Sequence, residues 1–150
     1  IQVAGRAGRG DLPGEVLIQT YTPFHPAIQM SRRLDFDGFC DQELEFRKEL
    51  HYPPFSHLVL LQAEGRDETR VRDAFMAYFK LLEARLPSSV IATEPAPAAL
   101  AKAKGVYRFQ ALLRTGQITR LTSILRDLEG AYRWPSSVDL TVDVDALSVV

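Results

Sequence analysis

An α+β fold is predicted for the last two thirds of this 150-residue chain. Two segments carry apolar residues at helical spacing. Two others alternate between apolar and polar residues, as strands with one buried face do. Strand and helix signals follow each other in the order strand, helix, strand, strand, helix, strand.

Each element has its own warrant. Leu58-Val59-Leu60-Leu61-Gln62-Ala63 reads as a strand, punctuated by Gly65. Val71, Ala74, Phe75, Tyr78, Leu82 and Leu86 form one stripe of a helix predicted from about Glu68 to Leu86. Val90 to Thr93 is read as a short second strand, and Glu94 to Ala99 as a Pro/Ala-rich loop. From Tyr107 to Arg114 the alternation is clean: Tyr107, Phe109, Ala111 and Leu113 face one way, and Arg108, Gln110, Leu112 and Arg114 the other. Thr115-Gly116 breaks the run, with Thr115 as a helix cap. Ile118, Leu121, Leu125, Leu128 and Tyr132 make the second helical stripe. The last strand turns Val138, Leu140, Val142 and Val144 inward and Asp139, Thr141, Asp143 and Asp145 outward. This order is the split βαβ, or ferredoxin-like, arrangement, in which two helices cover one face of a four-stranded antiparallel sheet. The fold hosts many unrelated functions and names none of them.

The first third reads differently. A Gly/Arg segment leads to a turn at Asp11-Leu12-Pro13-Gly14 and then to a strand-like run, Glu15 to Tyr21, which Pro23 and Pro26 break. Phe36, Phe39, Cys40 and Leu44 give partial helical spacing over Phe36 to Leu50, and Tyr52-Pro53-Pro54-Phe55 ends that helix. The aromatics flanking the prolines are expected to anchor this turn onto a core. Three regions result: 1–30, a helical linker over 31–55, and the domain 56–150. The chain opens at Ile1 directly into a functional motif, which predicts a piece of a longer protein.

Composition narrows the function classes. A net charge of −1 means that any contact with nucleic acid must come from a local patch. A single cysteine, Cys40, excludes an internal disulfide and an all-cysteine zinc site, and is read as apolar filler. The apolar runs are too short for a membrane span and no signal peptide is present, which fits a reducing cytoplasm. His25, His51 and His57 lack partners at metal-ligand spacing, Asp139, Asp143 and Asp145 read as a solvated edge, and no metal site is predicted. No Gly-x-x-x-x-Gly-Lys-[Ser/Thr] phosphate loop is present, so the chain holds at most half of a nucleotide site.

Two features carry candidate chemistry. In Gln2-Val3-Ala4-Gly5-Arg6-Ala7-Gly8-Arg9 two arginines three apart share one side of a helical turn, and the glycines permit close approach. Guanidinium forks match phosphate bidentately and stabilise charge on a transferring phosphoryl group. The second feature is basic: Lys102, Lys104, Arg108, Arg114, Arg120, Arg126 and Arg133 outnumber Asp127 and Glu129 between Pro95 and Ser137. Arg108 and Arg114, with Gln110 between them, share a strand face and suit phosphate contacts, while an ordinary solvated face reads equally well. Tyr107 and Phe109 suit base stacking, but sharing a face with Ala111 and Leu113 points to the core.

Gln-x-x-Gly-Arg-x-Gly-Arg is similar to motif VI of superfamily-two helicases, on the second of their RecA-like domains. The segments Pro13-Gly14-Glu15-Val16-Leu17-Ile18-Gln19-Thr20, Gln42 to Arg47, Tyr52-Pro53-Pro54-Phe55, Pro95-Ala96-Pro97, Gly105 to Gln110 and Val142 to Asp145 resemble the primosomal protein N′ (PriA) family along the whole chain. The resemblance implies the end of a RecA-like helicase domain in 1–30, then the family's C-terminal ferredoxin-like domain. It implies an ATP-dependent 3′-to-5′ DNA helicase that recognises stalled forks and restarts replication. Arg9 would be the arginine finger, Arg6 its catalytic companion, and Gln2, Gly5 and Gly8 nucleotide-binding. ATP and magnesium belong to the intact protein, zinc to a region upstream, and none is expected in this piece alone. Partners would be forked and single-stranded DNA, single-strand-binding protein and other primosome proteins, with Lys102, Lys104, Arg108, Gln110, Arg114 and Arg120 as candidate contacts. The implied location is the bacterial cytoplasm, associated with the nucleoid. Without the resemblance, another superfamily-two helicase or a purely non-catalytic binding module is the alternative. Departures from the family occur at His51, where glycine is usual, at Glu94, also glycine, at Val106, an arginine, and at Ala146, a proline. Ile118 stands about where some members carry an arginine implicated in holding the tail of single-strand-binding protein, with Arg120 nearby.

Overall fold

A computed structural model describes residues 15–146. The chain divides into two compact units between Phe46 and Arg47. The Gln2-to-Arg9 segment that resembles motif VI and the turn expected at Asp11 to Gly14 lie outside the described residues.

The first unit is helical. Helix α1, Pro26–Arg33, starts with proline at its first position, where a missing N–H costs nothing, and His25 accepts a hydrogen bond from the Ala27 N–H at 3.3 Å. The expectation that Pro26 only breaks the chain is therefore corrected: it opens a helix. Helix α2, Phe36–Glu49, begins in this unit and ends in the second, close to its predicted span. Glu15 to Tyr21 forms no strand, and Leu17 and Tyr21 are almost fully exposed. A buried strand needs a neighbour for its backbone groups, and none pairs with this run among the described residues.

The second unit holds the core. Strand β1 is His57–Gly65, α3 is Glu68–Glu83, β2 is Ile91–Ala92, β3 is Ala96–Ala103, β4 is Val106–Thr115, α4 is Ile118–Ala131 and β5 is Val138–Val144. The sheet is antiparallel, with β5 beside β1, β1 beside β4, and β2 and β3 end to end along the other edge of β4. This is the predicted split βαβ order, with its second strand broken in two. The break has a local cause. The Thr93 N–H donates to the Leu112 carbonyl, and the Leu112 N–H returns to the Thr93 hydroxyl at 2.9 Å rather than to a backbone carbonyl.

The Pro/Ala-rich segment expected as a loop over Glu94 to Ala99 is largely strand β3, which continues to Ala103. Pro97 has no N–H to give, and a strand at the sheet edge tolerates that. Three residues of slippage separate its two paired stretches, so no clean alternation marks it in the sequence.

Both helical stripes are buried against the sheet. On α3 they are Val71, Ala74, Phe75, Tyr78, Phe79 and Leu82; on α4, Leu121, Leu125 and Leu128. They meet Val59, Leu61, Ala63, Phe109, Ala111, Leu113 and Val138. Phe79 joins the predicted stripe, and Leu86 is half-buried, because α3 ends three residues before it. Asp67 caps α3 by accepting the Arg70 N–H at 3.0 Å. Thr115 is not the cap of α4. Its hydroxyl accepts the Gln117 N–H at 3.0 Å, and Gln117 occupies the cap position without a side-chain bond. Gly65 is required where β1 meets α3: a Cβ there would stand 2.5 Å from the Ser137 carbonyl oxygen and 2.8 Å from Val71.

Candidate functional site

Helices cover one face of the sheet, and the other presents Leu60, Gln62 and Glu64 from β1, Arg108, Gln110, Leu112 and Arg114 from β4, and Asp139, Thr141 and Asp143 from β5. Register sets its rows. Glu64 lies between Asp139 and Arg108, Gln62 between Thr141 and Gln110, and Leu60 between Asp143 and Leu112. Arg108 and Arg114 do share a face, as the alternation predicts, but neither guanidinium is unengaged.

Arg108 donates to Glu64 at 3.1 Å, a cross-strand pair with both side chains partly shielded. Arg114 donates from Nη1 to the Leu50 carbonyl at 2.7 Å and sits 5.2 Å from the centre of the Tyr52 ring. It therefore ties the turn after α2 to the sheet. Arg47 secures the same turn by donating to the Pro53 carbonyl at 3.1 Å. Leu58, on this same face, is only 4% exposed and lines one groove with Tyr52, Pro53 and Pro54. Of the two flanking aromatics expected as anchors, Tyr52 is held and Phe55 stays 47% exposed.

The groove, about 510 Å³, is completed by Arg47, Ser56, His57, Asp145 and Ala146. His57 Nδ1 lies 3.0 Å from an Asp145 carboxylate oxygen, and the Asp145 N–H donates to the Leu58 carbonyl at 2.7 Å. Asp139, Asp143 and Asp145 are all exposed, as expected of a solvated edge, and Asp145 in addition meets His57. Among the described residues no group of three His, Cys, Asp or Glu side chains stands together to hold a metal ion.

The remaining candidates lie elsewhere. Lys104 and Gly105, with φ of 51° and 77°, form the two-residue turn between β3 and β4, the left-handed pair that matches hairpin twist. Lys102 stands beside that turn. Its ammonium donates to the Tyr107 hydroxyl at 2.7 Å and lies 4.4 Å from the ring centre, and that hydrogen bond raises its pKa. Phe109 is core and Tyr107 half-buried, so neither is a free stacking platform on the open face. Arg120 is exposed on α4, in the helix layer, and Ile118 packs half-buried against the core. The structure thus splits the six candidate contacts into three places: Arg108, Gln110 and Arg114 on the open face, Lys102 and Lys104 at the hairpin, and Arg120 on a helix. Glu64, which engages Arg108, was not singled out in the sequence and was accessible only through strand register. Tyr52, expected as an anchor of its turn, was not foreseen as the partner of Arg114.

Gln2, Gly5, Arg6, Gly8 and Arg9 lie outside the described residues. Residues 48–147 match the model of the primosomal protein N C-terminal domain. The chain is 42% identical over 148 residues to the Replication restart protein PriA of Synechocystis, covering 99% of this chain and 18% of that one. It is 35% identical over 150 residues to the protein of that name from Treponema pallidum, covering 100% and 23%. To that of Bacillus subtilis it is 32% identical over 132 residues, covering 88% and 16%. The chain spans about a fifth of the length of these relatives.

Proposed function

The chain belongs to the family of the primosomal protein N C-terminal domain, and from that premise we propose that it is the C-terminal part of a replication-restart DNA helicase. The observation that carries this reading is the match over residues 48–147, extended by 42% identity along nearly the whole chain to a protein named for replication restart. The whole protein would hydrolyse ATP, move 3′ to 5′ on DNA, recognise stalled forks and assemble the primosome. Its partners would be forked and single-stranded DNA, single-strand-binding protein and other primosome proteins, in the bacterial cytoplasm. No described helix is long and apolar enough to cross a membrane.

Within that protein, Gln2, Gly5, Arg6, Gly8 and Arg9 would face nucleotide from one side of an interdomain cleft, with Arg9 stabilising charge on the transferred phosphoryl group. Magnesium and the phosphate-binding loop would belong to the opposite side, and zinc to an earlier segment. The present chain supplies one side only, so alone it is a binding module without ATPase activity. Ile118 is committed to packing, which leaves Arg120, one of two exposed arginines of α4 with Arg126, as the nearest cation for the acidic tail of single-strand-binding protein.

The test uses the 150-residue chain with ATP, magnesium and forked DNA. Binding that weakens steeply with salt, with no phosphate released above background, is the expected result. DNA-stimulated hydrolysis by this chain, or no DNA binding at all, would contradict it.

A further inference from the structure

The two arginines that alternation places together are both engaged by groups of the protein itself. Arg108 is neutralised by Glu64, whose neighbour across the sheet is Asp139, and Arg114 is spent on the Leu50 carbonyl and the Tyr52 ring. Asp143 adds a further exposed carboxylate to that face. A phosphate chain laid across it would meet Glu64, Asp139 and Asp143 and would compete with Glu64 for Arg108. Coulomb repulsion from those carboxylates and loss of the Arg108–Glu64 pair both oppose that.

The end of the β3–β4 hairpin is built the other way. Lys104 is exposed at the tip, on a turn that projects beyond the last paired residues, Ala103 and Val106. Lys102 is fully exposed, and Tyr107 holds its ammonium from the ring and the hydroxyl, which reduces the entropy lost when an anion binds. Arg66 follows Gly65, the residue paired with Tyr107, and so lies at the same end of the sheet. The nearby acids are Asp67, which caps α3, Glu68, and Glu64 and Asp139, which line one pocket with Arg66; Glu64 is paired with Arg108.

We propose that this chain holds the phosphate backbone of DNA at the end of the β3–β4 hairpin, through Lys102 and Lys104 with Arg66 beside them, and not on the open face of the sheet. The proposal rests on the DNA-binding reading above and locates it. A short hairpin end carrying cations at the rim of the sheet follows backbone without reading bases, which suits recognition of fork shape over sequence.

The experiment measures forked-DNA affinity of the 150-residue chain by fluorescence anisotropy across a salt series. The hairpin variant is Lys102→Gln with Lys104→Asn, since asparagine accepts the left-handed turn and keeps the fold. The open-face variant is Arg108→Gln with Glu64→Gln, which removes the pair without changing net charge. We expect the hairpin variant to flatten the slope of log K against log salt by roughly 1.5 to 2, as loss of two phosphate contacts requires. The open-face variant should leave the slope unchanged, and Lys102→Arg with Lys104→Arg should retain the wild-type slope. An unchanged slope in the hairpin variant, with loss in the open-face variant, overturns the location while DNA binding itself stands. Absence of salt-dependent binding in the unsubstituted chain overturns both.

Discussion

His51 shows how far a single residue can be read. It follows α2 with φ of 55°, its N–H bonds to the Lys48 carbonyl, and the Tyr52 N–H bonds to the Arg47 carbonyl at 2.7 Å. That pair of bonds is the Schellman closure of a helix, and it needs a left-handed residue where glycine fits best. A side chain with Cβ costs roughly 1–2 kcal/mol in that conformation, partly offset by the entropy glycine loses on folding. His51→Gly should therefore stabilise the chain by about 0.5–1 kcal/mol, seen as a higher urea midpoint at unchanged slope. A lower midpoint would show that histidine is not strained there. The departure at His51 was legible because the helix end is a local pattern. The engagement of Arg114 was not, because its acceptor, Leu50, lies 64 residues away and is a backbone atom with no sequence signature.

At the scale of elements, what was legible followed periodicity. The buried stripes of α3 and α4 and the alternation of β4 and β5 could be read directly, since packing against one sheet imposes regular spacing. Strand β3 was missed because alanine and proline carry no strand preference and its slipped register hides the alternation. Helix α3 also contains a consequence that periodicity does not reveal. Tyr78 is fully buried, its hydroxyl has no hydrogen-bond partner among the described residues, and its ring packs 5.3 Å from Tyr132 and 5.0 Å from Trp134. Burial, helped by Glu129 and opposed by Arg85, pushes its pKa up to about 12 from 10.0. The folded state thus keeps this proton where the unfolded state releases it, so stability falls as pH rises from about 10 towards 12. Tyr78→Phe should remove that part of the alkaline loss, roughly 1–3 kcal/mol. At neutral pH it should cost little, since no hydrogen bond is broken. Urea unfolding at pH 8 and pH 11 checks this; an equal alkaline loss in both proteins would contradict it.

For the molecule as a whole, the division of labour follows the division of the core. Every fully buried side chain among the described residues lies between Leu58 and Val138, inside the stretch that matches the family. The ferredoxin-like unit is the framework, and its hairpin end, not its open face, offers accessible cations. The Gln2-to-Arg9 segment, read as motif VI, has the opposite character under the proposal: its chemistry would need a second wall that the present chain does not supply. The family was legible from the segments after Asp11, while the placement of Gln2, Arg6 and Arg9 at a nucleotide belongs to the proposal.

The most direct test of the central claim is therefore made on the full-length protein. DNA-stimulated ATP turnover and forked-DNA affinity are compared between wild type and Arg9→Ala. A finger role predicts turnover lower by about 10³-fold or more with DNA affinity within twofold of wild type. Unchanged turnover would contradict the placement of Arg9 at the nucleotide and remove it from the finger role.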